Sequence, residues 1–171
     1  DCAKTHKLVI FSPGFASDHP WLITACEGGL VCMGELDFAA LFWRGRVVAI
    51  TGTNGKTTLT EFLTHALRQE WEPAHAVGNI GRPFTRLVAD TAGGLAEDIA
   101  ICEVSSFQAE TIQHFQTEAV LWTNFSEDHL DRHPNMESYL NAKWSLVARA
   151  PEEAVFAGTS VYVHAKKYNR Q

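Results

Sequence analysis

Four short apolar runs along the chain predict buried β-strands. They read KLVIF, RVVAI, IAICEV and AVLWTNF. Most of them lack strict alternation of apolar and polar residues, which is typical of strands that are covered on both faces. Helical patterns lie between several of these runs. The alternation predicts an α/β fold, a parallel sheet with helices on both faces, whose ligands bind beyond the carboxyl ends of the strands.

A helical pattern follows the second run after a glycine-rich turn. Its apolar residues recur at the spacing of one helical face: Leu59, Phe62, Leu63, Ala66 and Leu67. We expect Thr57 and Thr58 to open this helix. A further helix is expected to begin near Asn135. The tail from Pro151, which ends in VYVHAKKYNRQ, predicts one more strand followed by a basic, polar terminus.

A change of pattern near residues 35–46 predicts a domain boundary. There the segment GELDFAALFWRGR leads into the RVVAI strand. We expect residues 1–45 to be the end of a preceding domain with its linker, and residues 46–171 to be part of a second domain.

The overall charge limits the classes of ligand. The formal net charge is -6, which argues against general affinity for nucleic acid or an anionic membrane, because both need clustered Lys and Arg. No apolar run approaches the roughly 20 residues that span a bilayer. The four cysteines form no Cys-x-x-Cys pair. We therefore expect reduced thiols in a cytoplasmic protein rather than a zinc ribbon.

The segment TGTNGKTT, residues 51–58, predicts a phosphate site. A strand, a glycine turn and a helix in this order direct unpaired backbone N–H groups and the positive end of the helix dipole to one point. Lys56 could reach the outer phosphates of a nucleotide, and Thr57 could bind magnesium. The alternative is a tight turn with a solvated lysine. The flanking strand and helix favour a nucleotide site. The residues of this site would be Gly52, Thr53, Asn54, Gly55, Lys56, Thr57 and Thr58. A kinase that acts on a small molecule stays open as a function.

Two further strands carry polar residues at their carboxyl ends. Glu103 stands in an apolar run, where a carboxylate is costly unless it pairs with a metal or, alternatively, with a local arginine. TNFSEDHLDRH follows the next strand. Its His129 and His133 have the spacing of helical zinc ligands, but Leu130 takes the place of the glutamate that zinc proteases require. A zinc protease is therefore disfavoured.

Lys143 interrupts the apolar stripe of the helix that begins near Asn135. That stripe would otherwise consist of Met136, Leu140 and Val147. Either the lysine reaches the surface, or it is held near the core with a depressed pKa. In the second case its neutral amine could react with carbon dioxide to form a carbamate, which turns a cation into a carboxylate-like metal ligand.

Five motifs together resemble the Mur ligases, the ATP-dependent amino-acid ligases of peptidoglycan synthesis. These motifs are GTNGKTT, GNIGRP, EVSSFQAE, TNFSEDHLDRH and NAKWSL, and they occur in the order and spacing of that family over roughly residues 9–150. SSFQ, GNIGRP and the upstream SPG, HP and GELDF are most similar to the branch that adds D-glutamate to UDP-N-acetylmuramoyl-L-alanine.

The resemblance assigns roles to individual residues. Lys56 and the backbone of residues 52–55 would hold the ATP phosphates. Thr57 and Glu103 would bind a first Mg2+, and His129 with a carbamylated Lys143 a second one, with Asp128 as a supporting partner. The implied contacts to the UDP-linked substrate come from Ser12, Pro13, Gly14, Asn79, Ser105 and Gln108.

The resemblance also implies a reaction and its limits. The substrate carboxylate attacks the terminal phosphate of ATP, and the amine of D-glutamate then displaces phosphate from the acyl phosphate. Mur ligases have three domains, and we expect the third to be absent here, so that this chain folds its central sheet at best partly and does not ligate alone. A monomer is expected.

Two rival functions stay open. One is a related ligase with another substrate, such as a folylpolyglutamate synthase. The other is a truncated nucleotide-binding module without catalytic activity.

Overall fold

The computed structural model describes residues 5–16 and 18–170, which form two parallel sheets. The smaller sheet pairs β1 with β2 in parallel, and α1 connects them. The larger sheet has five parallel strands in the order β4-β5-β3-β6-β7. The strands are β1 Leu8–Phe11, β2 Val31–Gly34, β3 Arg46–Thr51, β4 Ala74–Gly78, β5 Ile99–Glu103, β6 Ala119–Trp122 and β7 Val155–Ala157.

Helices connect the successive strands, as parallel pairing requires. No helix of the described residues is long and apolar enough to cross a membrane. The helices are α1 Pro20–Glu27, α2 Glu35–Ala40, α3 Lys56–Gln69, α4 Phe84–Asp90, α5 Ser106–Ala109, α6 Met136–Trp144 and α7 Thr159–Lys167.

Both faces of the large sheet are covered, which confirms the α/β fold predicted from the apolar runs. On β5, Ala100 and Cys102 belong to a core cluster with α2 and α4 residues. Ile99 and Ile101 point to the other face, where Leu59, Leu63 and Leu67 of α3 pack. Successive side chains of a strand face opposite ways, so a strand with apolar residues at every position must be buried on both sides.

The prediction for the face of α3 was wrong at one residue. Phe62 is 66% exposed, because it stands about 100° around the helix axis from Leu63. The helix also begins at Lys56, one residue earlier than expected, with Gly55 as its N-cap.

The predicted strand in the tail was also wrong. VYVHAKK lies within α7, and the last strand is the shorter VFA segment before it. Val161 and Ala165 are buried while Val163 is exposed. Burial four residues apart is the period of a helix, and here it overrides the β-propensity of the two valines. The strand expected from AVLWTNF ends at Trp122. The strands β2 and β4 were not predicted, because VCMG and AHAVG each contain a single β-branched residue.

Candidate active site

The polar residues predicted to bind a nucleotide and metals meet at one edge of the large sheet. In the strand register Ile50 lies beside Glu103, Glu103 lies beside Gly78, and Thr51 lies beside Trp122. The carboxyl ends of four neighbouring strands therefore coincide. The glycine turn leaves β3 at this edge and enters α3.

The glycine turn needs both of its glycines. Gly52 has φ 145° and Gly55 has φ 79°, both in the region that side chains rarely adopt. A Cβ on Gly52 would also collide with the Thr123 hydroxyl. Gly55 caps α3 without a side-chain hydrogen bond, so the first amides of a helix of 14 residues face the sheet edge. These amides and the helix dipole suit an anionic ligand.

Asn124 closes the turn, a role that sequence analysis missed. Its Oδ1 accepts a hydrogen bond from Asn54 N at 2.9 Å, and its Nδ2 donates to Asn54 O at 2.9 Å. Its carbonyl accepts from Thr53 N at 3.1 Å, and the Thr123 hydroxyl donates to Asn54 O at 2.7 Å. A polar Thr-Asn pair directly after an apolar strand was the only signal available.

Two lysines, Lys56 of α3 and Lys143 of α6, donate hydrogen bonds to the carbonyl of Gly52. Lys56 Nζ, at the start of α3, donates to Gly52 O at 3.0 Å and to Thr53 O at 2.9 Å. Lys143 Nζ, near the end of α6, donates to the same Gly52 O at 3.0 Å. The alternative of a solvated Lys56 is not supported, because its ammonium is bonded within the turn.

Lys143 is buried, with 1% of its surface exposed. Besides Gly52 O, its Nζ donates to Thr51 Oγ1 at 3.3 Å. Burial, and then repulsion by Lys56, lower the pKa of Lys143 from 10.5 to about 7, against the attraction of Asp128 and Glu103. The structure therefore supports the buried alternative and not a surface lysine.

Glu103 is 1% exposed and has two neutral partners. Its Oε2 accepts from Thr57 Oγ1 at 2.8 Å, and its Oε1 accepts from Asn79 Nδ2 at 3.1 Å. No ion pair with an arginine or lysine occurs for Glu103 within the described part of the chain, so the alternative of a local arginine is not supported.

The donor set at Glu103 fits Mg2+. The Thr57 hydroxyl and the Glu103 carboxylate are hard oxygen ligands that point at each other. Residues 5–16 and 18–170 contain no group of three His, Cys, Asp or Glu side chains that could hold a metal. Mg2+ is typically bound by one or two protein ligands, substrate phosphates and water, so a small donor set suits it.

His129 and Lys143 both lie near the ring of Tyr139. The His129 and Tyr139 rings are 5.8 Å apart, and Lys143 Nζ is 5.0 Å from the Tyr139 ring centre. His129 has φ 54°, and its backbone N donates to Asp128 Oδ1 at 2.8 Å. A non-glycine residue in this region stores strain, which is frequent at functional sites. Tyr139 was not predicted as a site residue; its spacing of four from Lys143 on α6 was the available signal.

His133 does not join His129 in a metal site. It is buried, and its Nε2 lies 2.9 Å from the Ser106 hydroxyl. Its Nδ1 lies 3.1 Å from Glu110 Oε1. Burial, and then the nearby His129, lower the pKa of His133.

The residues predicted to contact the UDP-linked substrate lie at three places. Ser105 and Gln108 form a capping box at α5, in which Gln108 Oε1 accepts from Ser105 N and from Ser105 Oγ, each at 3.0 Å. Ser12 and Gly14 lie in a turn that Phe15 N closes by donating to Ser12 O at 3.1 Å. Pro13 and Gln108 line one cleft between the first two of these places, whereas Asn79 is held at Glu103.

Comparison with known proteins identifies the family of the chain. Residues 50–171 match the family described as the Mur ligase middle domain. Over 145 residues the chain is 39% identical to the UDP-N-acetylmuramoylalanine–D-glutamate ligase of Aquifex aeolicus, a stretch that covers 85% of this chain and 34% of that protein. The chain thus spans about a third of the length of this relative.

Solved structures show the same fold. A UDP-N-acetylmuramoyl-L-alanyl-D-glutamate–2,6-diaminopimelate ligase matches with a TM-score of 0.59 at 18% identity, covering 98% of this chain and 45% of that one. The MurF ligase of Thermotoga maritima in complex with ADP matches with a TM-score of 0.52 at 15% identity, covering 89% of this chain and 45% of that one. With a family match over residues 50–171 and strand ends that carry the motifs at one edge, the chain belongs to the Mur ligase family.

Proposed function

We propose that the protein of which this chain is a part is an ATP-dependent ligase that adds D-glutamate to UDP-N-acetylmuramoyl-L-alanine in peptidoglycan synthesis. The observation that carries this proposal is the convergence of Lys56, Lys143 and the Thr57–Glu103 pair on the glycine turn. The relative from Aquifex aeolicus bears the name of this activity, which supports the choice of substrate.

The glycine turn is the proposed ATP site. Its residues are Gly52, Thr53, Asn54, Gly55, Lys56, Thr57 and Thr58. The left-handed glycines and the uncapped start of α3 support phosphate binding, and the related fold of the Thermotoga MurF ligase was solved with ADP. Lys56 would turn from the carbonyls of its own turn to the outer phosphates.

We propose two Mg2+ positions, which would neutralise the phosphate charge during transfer. Thr57 and Glu103 would hold one ion. His129 and Lys143 would hold the other, with Lys143 as a carbamate. A pKa of about 7 leaves much of this amine neutral near neutral pH; the amine nitrogen bonds to the carbon of carbon dioxide and releases a proton. The resulting negative charge would replace the repulsion between Lys143 and Lys56 by attraction.

The chain's own residues orient the reactants. The first amides of α3 and Lys56 would align the terminal phosphate with the substrate carboxylate, because Thr53 N and Asn54 N already donate to Asn124. The carboxylate attacks this phosphate to give an acyl phosphate and ADP. The amine of D-glutamate then attacks the acyl carbon, an amide bond forms and phosphate leaves. Ser12, Pro13, Gly14, Asn79, Ser105 and Gln108 are the proposed contacts to the UDP-linked substrate. We also propose a cytoplasmic monomer. The net charge of -6 argues against general affinity for nucleic acid or anionic membranes.

An assay of ADP release by the full-length protein tests the activity. UDP-N-acetylmuramoyl-L-alanine with D-glutamate is compared with a folate and L-glutamate, and Lys56→Ala serves as the inactive control. We expect turnover with the first pair alone. Turnover with the folate would establish the folylpolyglutamate synthase alternative. ATP binding without turnover on either pair would contradict the proposed activity and favour a non-catalytic module.

The carbamate has its own test. Lys143→Ala is expected to abolish ligation, and added short carboxylic acids should restore part of it without any need for bicarbonate. Absence of rescue together with unchanged ligation in Lys143→Ala would remove the carbamate from the mechanism.

A further inference from the structure

The ring of Phe107 contacts two histidines of the segment that follows β6. Phe107 lies inside the Ser105–Gln108 capping box of α5. Its ring is 5.0 Å from the His129 ring and 5.6 Å from the His133 ring, on which it stacks at 23°. One side chain thus links the proposed substrate residues of α5 with the turn that carries His129.

Arg132 extends this contact to the turn after β1. Its guanidinium carbon lies 4.1 Å from the centre of the Phe107 ring, and its Nη2 donates to Phe15 O at 3.0 Å. Its backbone N donates to His129 O at 3.1 Å. Phe15 closes the turn of residues 12–15. A single guanidinium therefore connects the proposed UDP turn, the α5 segment and the His129 turn, across 117 positions of sequence.

Arg132 differs from the arginines of this protein that form ion pairs, and it donates to a backbone carbonyl, as Arg44 does. Arg46 pairs with Glu72, and Arg82 and Arg86 pair with Asp90. In the part of the chain that the structure describes, Arg132 has no carboxylate within ion-pair distance; it acts on Glu110 from farther away, where it counters the rise that burial causes in the Glu110 pKa. The planar guanidinium of Arg132 is held in one orientation by the face of the Phe107 ring and by Phe15 O. A lysine ammonium has no planar face and cannot make both contacts in the same way.

We propose that Arg132 is a positioning residue that holds the turn of residues 12–15 at a set distance from the His129 turn, with the Phe107 ring as its support. The inference rests on the proposed function. A substrate whose UDP end sits at one turn and whose carboxylate reacts near the other needs that distance to be constant. Loss of Arg132 would loosen the hold on the UDP end and leave the glycine turn intact.

Steady-state kinetics of the full-length protein test this role with Arg132→Lys, Arg132→Ala and Phe107→Leu. The matched control is Arg44→Ala, which removes hydrogen bonds to two carbonyls, Gly94 O and Ala92 O, remote from the site. We expect KM for the UDP-linked substrate to rise ~10-fold in Arg132→Ala, equivalent to about 1.4 kcal/mol, with KM for ATP unchanged. Arg132→Lys should reverse less than half of this rise in KM. Phe107→Leu should also raise KM for the UDP-linked substrate.

A second measurement is independent of catalysis. Hydrogen exchange of the Phe15 and His19 amides should accelerate severalfold in Arg132→Ala and not in Arg44→Ala. Equal rises of both KM values, full recovery in Arg132→Lys, or unchanged exchange would each overturn the role of Arg132. If the wild-type protein does not ligate while exchange accelerates as expected, the proposed function fails and the positioning of the turn by Arg132 stands.

Discussion

At the scale of single residues, the site depends on charges placed where water cannot reach them. Lys143 and Glu103 are both almost fully buried. Within the described residues, Lys143 forms no ion pair with a carboxylate and Glu103 forms none with a lysine or arginine. Each instead binds neutral groups of the glycine turn or beside it. A buried charge without an opposite charge nearby lowers the stability of the fold. Such side chains are kept at sites where a ligand supplies the missing opposite charge.

Lys143→Met should raise the free energy of unfolding in buffer free of carbon dioxide. The folded pKa of about 7 lies below the ordinary 10.5, so between these values the unfolded chain binds a proton that the folded chain does not, and stability rises with pH. The variant should gain on the order of 3 to 5 kcal/mol at pH 6, at about 1.4 kcal/mol per pKa unit.

Urea denaturation at pH 6, 8 and 10 measures this gain. The advantage of Lys143→Met should shrink steadily between pH 7 and pH 10, and Lys166→Met on the exposed side of α7 serves as the control. An advantage that stays constant over this range would show that Lys143 is not titrating with a depressed pKa.

Glu103→Gln should raise the Mg2+ concentration needed for half-maximal ligation by the full-length protein at least ~10-fold. The amide keeps the shape and the contact with Thr57 but lacks the charge that attracts Mg2+. Thr57→Ala should act in the same direction. Thr91→Ala, which removes a comparable hydroxyl bonded to Leu87 O on α4, should leave the Mg2+ dependence as it is; an effect of equal size there would argue against the metal position.

At the scale of elements, α2 is fastened to its surroundings by two carboxylates. Asp37 accepts hydrogen bonds from the backbone N of Gln113 at 2.6 Å, of His114 at 3.1 Å and of Phe115 at 2.8 Å. Glu35 accepts from Thr85 N at 2.7 Å, at the start of α4. The loop after α5 and the first turn of α4 are thereby tied to one short helix.

Asp37→Ala should lower the free energy of unfolding by about 3 kcal/mol, because one buried and two part-buried amides lose a charged acceptor. Urea denaturation of the full-length protein measures the loss. Glu61→Ala on the exposed face of α3 is the control and should change stability by less than about 0.5 kcal/mol. Similar losses in the two variants would mean that the three amides find other partners.

At the scale of the whole molecule, the parallel sheet gathers the site. Since all five strands run in one direction, segments far apart in sequence end at the same edge, where the glycine turn, Glu103 and the His129 turn meet. Ligand binding at this edge engages several elements together and should stabilise the fold as a unit.

MgATP should therefore raise the melting temperature of the full-length protein. At a concentration about 100 times Kd the added stability is about 2.7 kcal/mol. Lys56→Ala should lose most of this shift, whereas Arg44→Ala should keep it. A full shift in Lys56→Ala would place the nucleotide away from the glycine turn.

Local patterns in the sequence determined the parallel α/β class and the glycine turn, because glycine requirements, apolar runs and helical spacing involve neighbours along the chain. The roles of single residues in metal and substrate binding were implied only by the resemblance of the five motifs to the Mur ligases, and they stay predictions. Local patterns failed in the tail. There VYV is compatible with a strand, and only the burial of Val161 and Ala165 selects a helix.

Only the tertiary structure decided that Lys143 is buried, since its partners Thr51 and Gly52 lie 92 and 91 positions away. The same holds for the closure of the turn by Asn124, 70 positions from Asn54. Contacts of this range depend on how the strands are ordered in the sheet, and periodicity within one segment carries no information about that order.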